Sequence, residues 1–385
     1  MRLLRAVYVY GRPAPHPNRL KLLPSIRASF IPADFRIPWA HDPGSSRIRK
    51  MASLVACSLA FPERHQWDLI IGDGPQHLPV VMKRLGLLHG RQKILPYLAG
   101  EFAYFLATGY YGRAKTALLR RWFMSWDGYL CLGEMTARLL RRVLPESRHR
   151  DLFTFPNFIR AERVQELGML APTLDGARIL FMGNGPSGFR VFSKGLDLLL
   201  RSYAVARARV PDLECSVAGE WRADVAHRLE QEAGLPAGGV HWLGGIDQLG
   251  PTLTAHSLYV HCGRGDAWPN TVMEAMVSGI PALVSDMTGG AEIIRRIEPR
   301  LVVPLDQNAV AQAIEWYSAL PTRDRQDLAR QLRAAVLDGY TEARAKETFR
   351  ETIRAALDHF GLTDVVLPSS GGMAGDALPS VEGAD

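Results

Sequence analysis

The chain has 385 residues, 47% of them apolar and 22% charged, the balance of a core-forming globular protein long enough for two domains. That composition excludes a disordered or fibrous chain, and no run reaches the roughly 18 consecutive apolar residues that a membrane-spanning helix needs. Charge is uneven: residues 1–160 hold 25 Lys/Arg against 10 Asp/Glu and the remainder 21 against 29, so the first part suits an anionic surface or substrate.

The opening MRLLRAVYVYGRP places basic groups before an apolar stretch of only about five residues, with no small-residue cleavage site after it; it reads as a first strand, RAVYVYG, and not as an export signal. WDLIIGDG is a buried strand opening into a glycine turn, followed by helical HLPVVMKRLGLL. KILPYLAG and WDGYLCLG are further strands, EMTARLLRRVL a helix, and DLFTFPNFI the last strand of this half. ERVQELGMLAPTLDG is a polar connection. Beyond it ARILFMGNG, LECSVAGE, VHWLGGI, SLYVHCG and PALVSD read as strands, with KGLDLLLRSYAVARARV and NTVMEAMVSG as helices between them.

Short apolar runs separated by helices mark parallel sheets covered on both faces, and two such blocks make two doubly wound α/β domains. The expected division is 1–160, then 175–343, a closing helix over 344–362 and a Gly/Ser/Pro-rich disordered tail over 366–385. Cys57, Cys131, Cys215 and Cys262 are scattered without metal-ligand spacing, which points to a reduced cytoplasmic compartment.

The chemistry concentrates in GDAWPNTVMEAMVSGIPALVSD, residues 265–286. Gly263, Arg264, Gly265 and Asp266 follow a strand, at the carboxyl edge where open parallel sheets bind ligands. Asn270 or Thr271 is placed to cap the next helix, whose N-terminus favours a phosphate. Glu274 stands in its first or second turn and suits vicinal hydroxyls; an acid complementing the helix dipole is the alternative reading of the same residue.

DAWPNTVMEAMVSGIPALVSDMTGGAEII resembles the donor-site motif of the retaining glycosyltransferases of family four, which have the GT-B fold. Asp266 stands at the family's first acid and Glu274 at its second, and Gly279, Pro281, Gly289, Gly290 and Glu292 also match. Upstream, ILFMGN, SKGLDLLLRSYAVARARV and LECSVAGE resemble the family's first strand, its Lys-Gly and the following helix and strand, so the likeness spans most of 178–295. In the first half only the strand order and the Pro-Asn of FPNFI agree.

The resemblance implies two Rossmann-like doubly wound domains facing a central cleft, with the helix at 344–362 crossing back to the first. It implies that Glu274 binds the ribose of a UDP- or GDP-linked sugar, Asp266 the transferred sugar, and Lys194 the departing diphosphate, which itself serves as base. Lys194, Asp266 and Glu274 are then the catalytic set, and Gly183, Asn184, Arg190, Gly265, Asn270 and Thr271 complete the donor site. Neither metal nor cofactor is implied beyond the nucleotide sugar. A solvated helix-start lysine is the ordinary alternative for Lys194.

The chain departs from the family in three places. The first acid is Asp, one methylene shorter than the usual Glu. Asn184 replaces the usual Arg after Gly183, within a loop, NGPSGFRVFSKG, in which Arg190 is a candidate replacement cation. Ala99-Gly100 replaces a His-Gly, leaving Glu101 as a substitute contact.

The acceptor side falls to the first domain, with Gly11, His16, His77 and Glu101 as its candidates. The segment FAYFLATGYYGRAKTALLRRWFMSW interleaves aromatics with Arg113, Lys115, Arg120 and Arg121; it fits either an anionic membrane surface or a helix with core aromatics and a basic solvent face. The expected location is cytoplasmic, with or without peripheral attachment to the inner face of the cell membrane, in polysaccharide or cell-envelope glycan assembly. Two other readings stand beside the enzyme: a GT-B-like sugar-nucleotide-binding or partner protein without transfer activity, and a nucleic-acid binder, for which no recognisable motif is present.

Overall fold

The computed structural model describes residues 1–11, 15, 20–33, 47–185 and 188–369. The chain divides into two compact units, residues 1–156 with 345–385, and residues 157–344.

The first unit runs β1 (Arg2–Leu3), β2 (Ala6–Tyr10), β3 (Ser29–Pro32), α1 (Arg47–Leu59), β4 (Leu69–Asp73), α2 (His77–Arg84), β5 (Lys93–Leu98), α3 (Glu101–Thr108), α4 (Arg113–Phe123), β6 (Tyr129–Leu132), α5 (Gly133–Arg141) and β7 (Leu152–Phe155). Its six-stranded sheet is parallel, in the order β3-β2-β4-β5-β6-β7. Val7, Tyr8, Val9, Ile70, Ile71, Ile94, Leu95, Tyr129 and Leu130 are all buried, which is why these strands read as unbroken apolar runs and not as alternating ones.

The second unit runs α6 (Ala161–Gly168), β8 (Arg178–Met182), α7 (Gly188–Lys194), α8 (Leu196–Arg207), β9 (Glu214–Ala218), α9 (Ala223–Glu232), β10 (His241–Gly244), α10 (Leu249–Thr254), β11 (Leu258–His261), α11 (Asn270–Ser278), β12 (Ala282–Ser285), α12 (Ala291–Ile297), β13 (Val302–Val303), α13 (Gln307–Ser318) and α14 (Thr322–Gly339). The sheet order β10-β9-β8-β11-β12-β13 is again all parallel. Chain direction across the sheet reverses between β8 and β11, the switch point of a doubly wound sheet.

α15 (Glu342–His359) follows, and its residues from Ala345 onward belong to the first unit. Phe349 is fully buried there, edge-on to Phe155 at 5.0 Å and tilted against Tyr97 at 6.4 Å. β14 (Val365–Val366) then pairs with β1.

Several sequence-based boundaries shift. The expected connection after residue 160 contains α6, whose polar sequence hides a face that buries Leu167 and packs on α11, so the units divide at 156/157. The expected loop at 184–195 contains α7. Val366 lies in a strand because two β-branched residues find β1 as a partner, so the tail expected from 366 does not start there; 370–385 lie outside the described residues. All four cysteines are buried, and burial pushes the Cys215 and Cys262 thiols up to about 12.

Truncating Phe349 removes a filled aromatic contact from a closed interior. Phe349→Ala is expected to lower unfolding free energy by about 3–5 kcal/mol, against less than about 0.5 kcal/mol for Met169→Ala at a site 84% exposed. Denaturant unfolding followed by circular dichroism measures both, and equal losses would contradict the packing described.

Candidate functional site

The carboxyl ends of β8 and β11 meet at the switch point of the second sheet, and the local backbone there is tightly constrained. α7 ends at Lys194, and Gly195 turns the chain into α8 with φ +75°; a Cβ on Gly195 would stand 1.8 Å from the Cys262 carbonyl oxygen. Only glycine fits a left-handed turn pressed against a neighbouring backbone. The elbow is tied again by Arg264, whose N–H donates to the Ser193 carbonyl at 2.8 Å. The Arg264 guanidinium donates to both Asp197 oxygens, at 2.8 and 3.0 Å, and lies over the Phe192 ring at 4.1 Å.

The segment after β11 is held on its other side by the Gly289-Gly290 region. The Gly289 N–H donates to the Asp266 carbonyl at 2.7 Å, the Gly265 N–H to the Met287 carbonyl at 3.0 Å, and Asp266 forms a parallel bridge with Thr288.

These constraints bring two of the predicted catalytic residues into contact. Lys194 Nζ donates to Asp266 Oδ2 at 2.6 Å. His261 Nε2 lies 3.2 Å from the same oxygen. Burial by itself disfavours the Asp266 anion, but the adjacent ammonium and the imidazole hydrogen bond outweigh it and hold the carboxyl well below the usual carboxylate range. Burial lowers the His261 pKa from its ordinary value, so the ring is neutral near pH 7; facing a carboxylate, it must carry its proton on Nε2.

Glu274 lies in the second turn of α11 and not the first, because the helix N-cap is Pro269. Its Oε1 is 3.2 Å from Arg163 Nε on α6. The N-cap, Pro269, makes no side-chain capping bond, and Thr271 Oγ1 accepts from the Tyr259 hydroxyl at 2.7 Å, so the cap position falls one residue before the expected Asn270 or Thr271. Burial holds the Tyr259 phenol protonated, and Asp266 and Glu274 both add to that effect.

Gly183 and Asn184 follow β8. The Gly183 N–H donates to the Ala218 carbonyl at 2.9 Å, and Asn184 Oδ1 accepts from the Glu220 N–H at 3.0 Å, so the residue replacing the family's arginine ties two strand ends together. Arg190 is exposed on α7 and not in a loop.

In the first unit, Gly11 follows β2 and His77 opens α2 after β4, flanking that sheet's own switch point; a Cβ on Gly11 would lie 3.4 Å from Gln76 Nε2. The His77 ring meets Trp122 edge-on at 5.4 Å, and burial lowers its pKa. Glu101 opens α3, near enough to Tyr111 to help burial raise that phenol. His16 lies outside the described residues. Phe105, Phe123 and Trp126 are core aromatics, whereas Tyr110 is half exposed.

Sequence reasoning missed Arg163, Asp197, Tyr259, His261 and the structural use of Arg264. Arg264 was visible inside an Arg-Gly-Asp tripeptide, but its partner is 67 positions away, and no periodicity signals such a pair.

Residues 176–319 match the family model described as Glycosyl transferases group 1. The match lies wholly within the second unit. Among curated proteins, a phosphatidyl-myo-inositol mannosyltransferase of Mycobacterium tuberculosis is 26% identical over 172 residues, 44% of each chain. Its counterpart from Mycobacterium leprae is 26% identical over 203 residues, 51% of each. The chain thus spans about half the length of the curated relatives it matches.

Among solved structures, Anabaena HepE in complex with UDP and glucose superposes with TM-score 0.63 at 13% identity, covering 91% of this chain and 99% of that one. Sucrose-phosphate synthase from Thermosynechococcus elongatus gives 0.64 at 17% identity, covering 93% and 100%. Together with the two parallel sheets these likenesses establish the GT-B fold. The residues matched by the family model include the whole Lys194–Asp266–His261 cluster.

Gly195→Ala is expected to cost roughly 2–5 kcal/mol in unfolding free energy, from backbone strain plus the clash. Gly234→Ala, at φ +72° with nothing within 4 Å of an added Cβ, should cost only the strain, and equal losses in denaturant titrations would refute the close approach.

Burial also lowers the pKa of His256, as it does that of His261. Below the ordinary value of 6.5 the unfolded chain binds more protons, so the stability these rings contribute is complete above that value and is lost as pH falls through and below it. Melting temperature should therefore drop between about pH 7.5 and about pH 5.5; a flat profile would count against neutral buried imidazoles.

Proposed function

We propose that the protein is a retaining glycosyltransferase that moves a sugar from a UDP- or GDP-linked donor to a glycan or lipid-linked acceptor. The observation that carries this reading is the Lys194–Asp266 contact at the switch point of the second sheet, just ahead of the helix that bears Glu274. Glu274 accepts from the ribose hydroxyls, Asp266 from the transferred sugar, and Lys194 neutralises the leaving diphosphate. Catalysis is then chiefly stabilisation of charge growing on the leaving group, which takes up the acceptor's proton on the same face of the sugar. Supporting this are the group 1 match, HepE's complex with UDP and glucose, and the sugar-transferring relatives.

The acceptor side falls to Gly11, His77 and Glu101 at strand ends of the first unit. A lipid-linked acceptor is supported by the mannosyltransferases' lipid substrate and by α4, which exposes Arg113, Lys115, Arg120, Arg121 and Leu118 (67% exposed) beside the half-exposed Tyr110. Cations beside apolar anchors fit an anionic membrane surface at the inner face of the cell membrane.

A thermal-shift comparison of UDP-glucose, GDP-mannose, UDP and GDP tests the donor reading. One sugar nucleotide should raise the melting temperature by a few degrees more than its parent nucleotide, consistent with linkage. Lys194→Ala should reduce donor turnover about 100- to 1,000-fold, the loss typical of one oxyanion donor. Binding without any turnover would favour the inactive sugar-nucleotide-binding alternative. For the membrane contact, vesicles rich in anionic lipid should carry the protein upward in flotation at low salt and release it at high salt; no salt-sensitive flotation would end that part of the proposal.

A further inference from the structure

His261 closes β11 and is 1% exposed. Its ring lies parallel to Phe181 (centroids 6.0 Å, 4°) and to Tyr259 (6.3 Å, 14°), so it cannot swing sideways. Nε2 faces Asp266 Oδ2 at 3.2 Å, while Nδ1 is buried with no hydrogen-bond partner among the described residues. An orphaned buried acceptor is destabilising by roughly 1–3 kcal/mol, a penalty that an apolar side chain here would avoid. The chain also gives up a side chain at residue 263 to keep the contact: a Cβ on Gly263 would stand 2.8 Å from His261 Nε2 and 3.1 Å from the Asp266 Cβ. Stability alone does not favour this arrangement.

The geometry of Asp266 supplies a reason. Both of its hydrogen bonds fall on Oδ2, leaving Oδ1 without a partner among the described residues. One of the two donors is Lys194, whose ammonium is also required by the diphosphate of a donor. A cation shared between a carboxylate and a more highly charged leaving group is drawn toward the larger charge. A carboxylate held by Lys194 alone would then lose its position as charge develops on the leaving group. His261 is rigid and neutral, and makes its bond independently of Lys194.

We infer that His261 is a positioning residue that fixes the Asp266 carboxylate, with Oδ1 toward the transferred sugar, while Lys194 serves the diphosphate. The inference rests on the donor-site reading above and concerns a residue that the sequence motif does not mark.

Two substitutions separate the hydrogen bond from the packing. His261→Leu fills the space without an N–H, and His261→Gln returns an amide N–H near the Nε2 position. In the full-length protein, His261→Leu should bind UDP or GDP within about 2-fold of wild type, lose the extra affinity for UDP-glucose or GDP-mannose over the parent nucleotide, and turn over donor about 10- to 100-fold more slowly, the range typical of outer hydrogen-bond partners. His261→Gln should recover most of both. The inference is overturned if His261→Leu keeps the sugar preference and turnover, or if Leu and Gln variants fall alike, which would leave only ring packing.

A third measurement needs no donor. In a crystal structure of Lys194→Ala, the Asp266 carboxylate should remain within hydrogen-bond distance of His261 Nε2, and a carboxylate swung out to solvent would overturn the inference. If wild type binds no sugar nucleotide better than its nucleotide, the donor reading fails, and this crystallographic arm still decides whether His261 holds Asp266.

Discussion

The main chain of Gly195 lies against the carbonyl of Cys262, and the arrangement of the second unit's charged groups follows from that contact. A left-handed residue between α7 and α8 brings the end of one helix down onto the loop that leaves β11, two elements 67 residues apart in the chain. Lys194 is delivered at this point because it is the last residue before the turn. The partly buried Arg264–Asp197 pair fixes the same elbow from the other side. Such a pair adds little net stability over an apolar pair of similar size, but removing one partner strands a charge, so the elbow tolerates few alternatives.

Much of this was legible in the sequence. Apolar runs such as ARILFM and SLYVHC are strands because they are buried on both faces, and that burial erases the polar alternation that would otherwise mark a solvated sheet. Lys194 and Asp266, singled out through the motif they resemble, lie 2.6 Å apart, whereas Glu274 meets Arg163. What was not legible depends on partners distant in sequence. Arg163 reaches Glu274 across more than a hundred positions, and Asp197 reaches Arg264 across 67. α6 was concealed for a different reason: its polar residues outnumber the few that face α11. The register of α11 was displaced because proline, which cannot donate its own N–H, takes the N-cap in place of the more usual Asn or Thr.

Thr271 shows how one such displacement matters. Had its hydroxyl capped α11, it would have occupied the amides that a phosphate could use. Tyr259 instead donates to it from the strand below, tying the helix start to the sheet without a cap. The same phenol sits within the influence of both carboxylates.

The charge balance at the cluster explains why a lysine persists beside an aspartate when its expected partner is a diphosphate. An isolated ammonium at a site one-quarter exposed would lose part of its hydration with nothing in return. Asp266 compensates that loss by accepting from the ammonium at 2.6 Å. The ammonium keeps two further N–H donors for another anion. A doubly charged group at the same distance attracts it about twice as strongly as one carboxylate does. The cation can therefore move toward another anion without first being desolvated or ordered, and much of the entropy of arranging it has been met during folding.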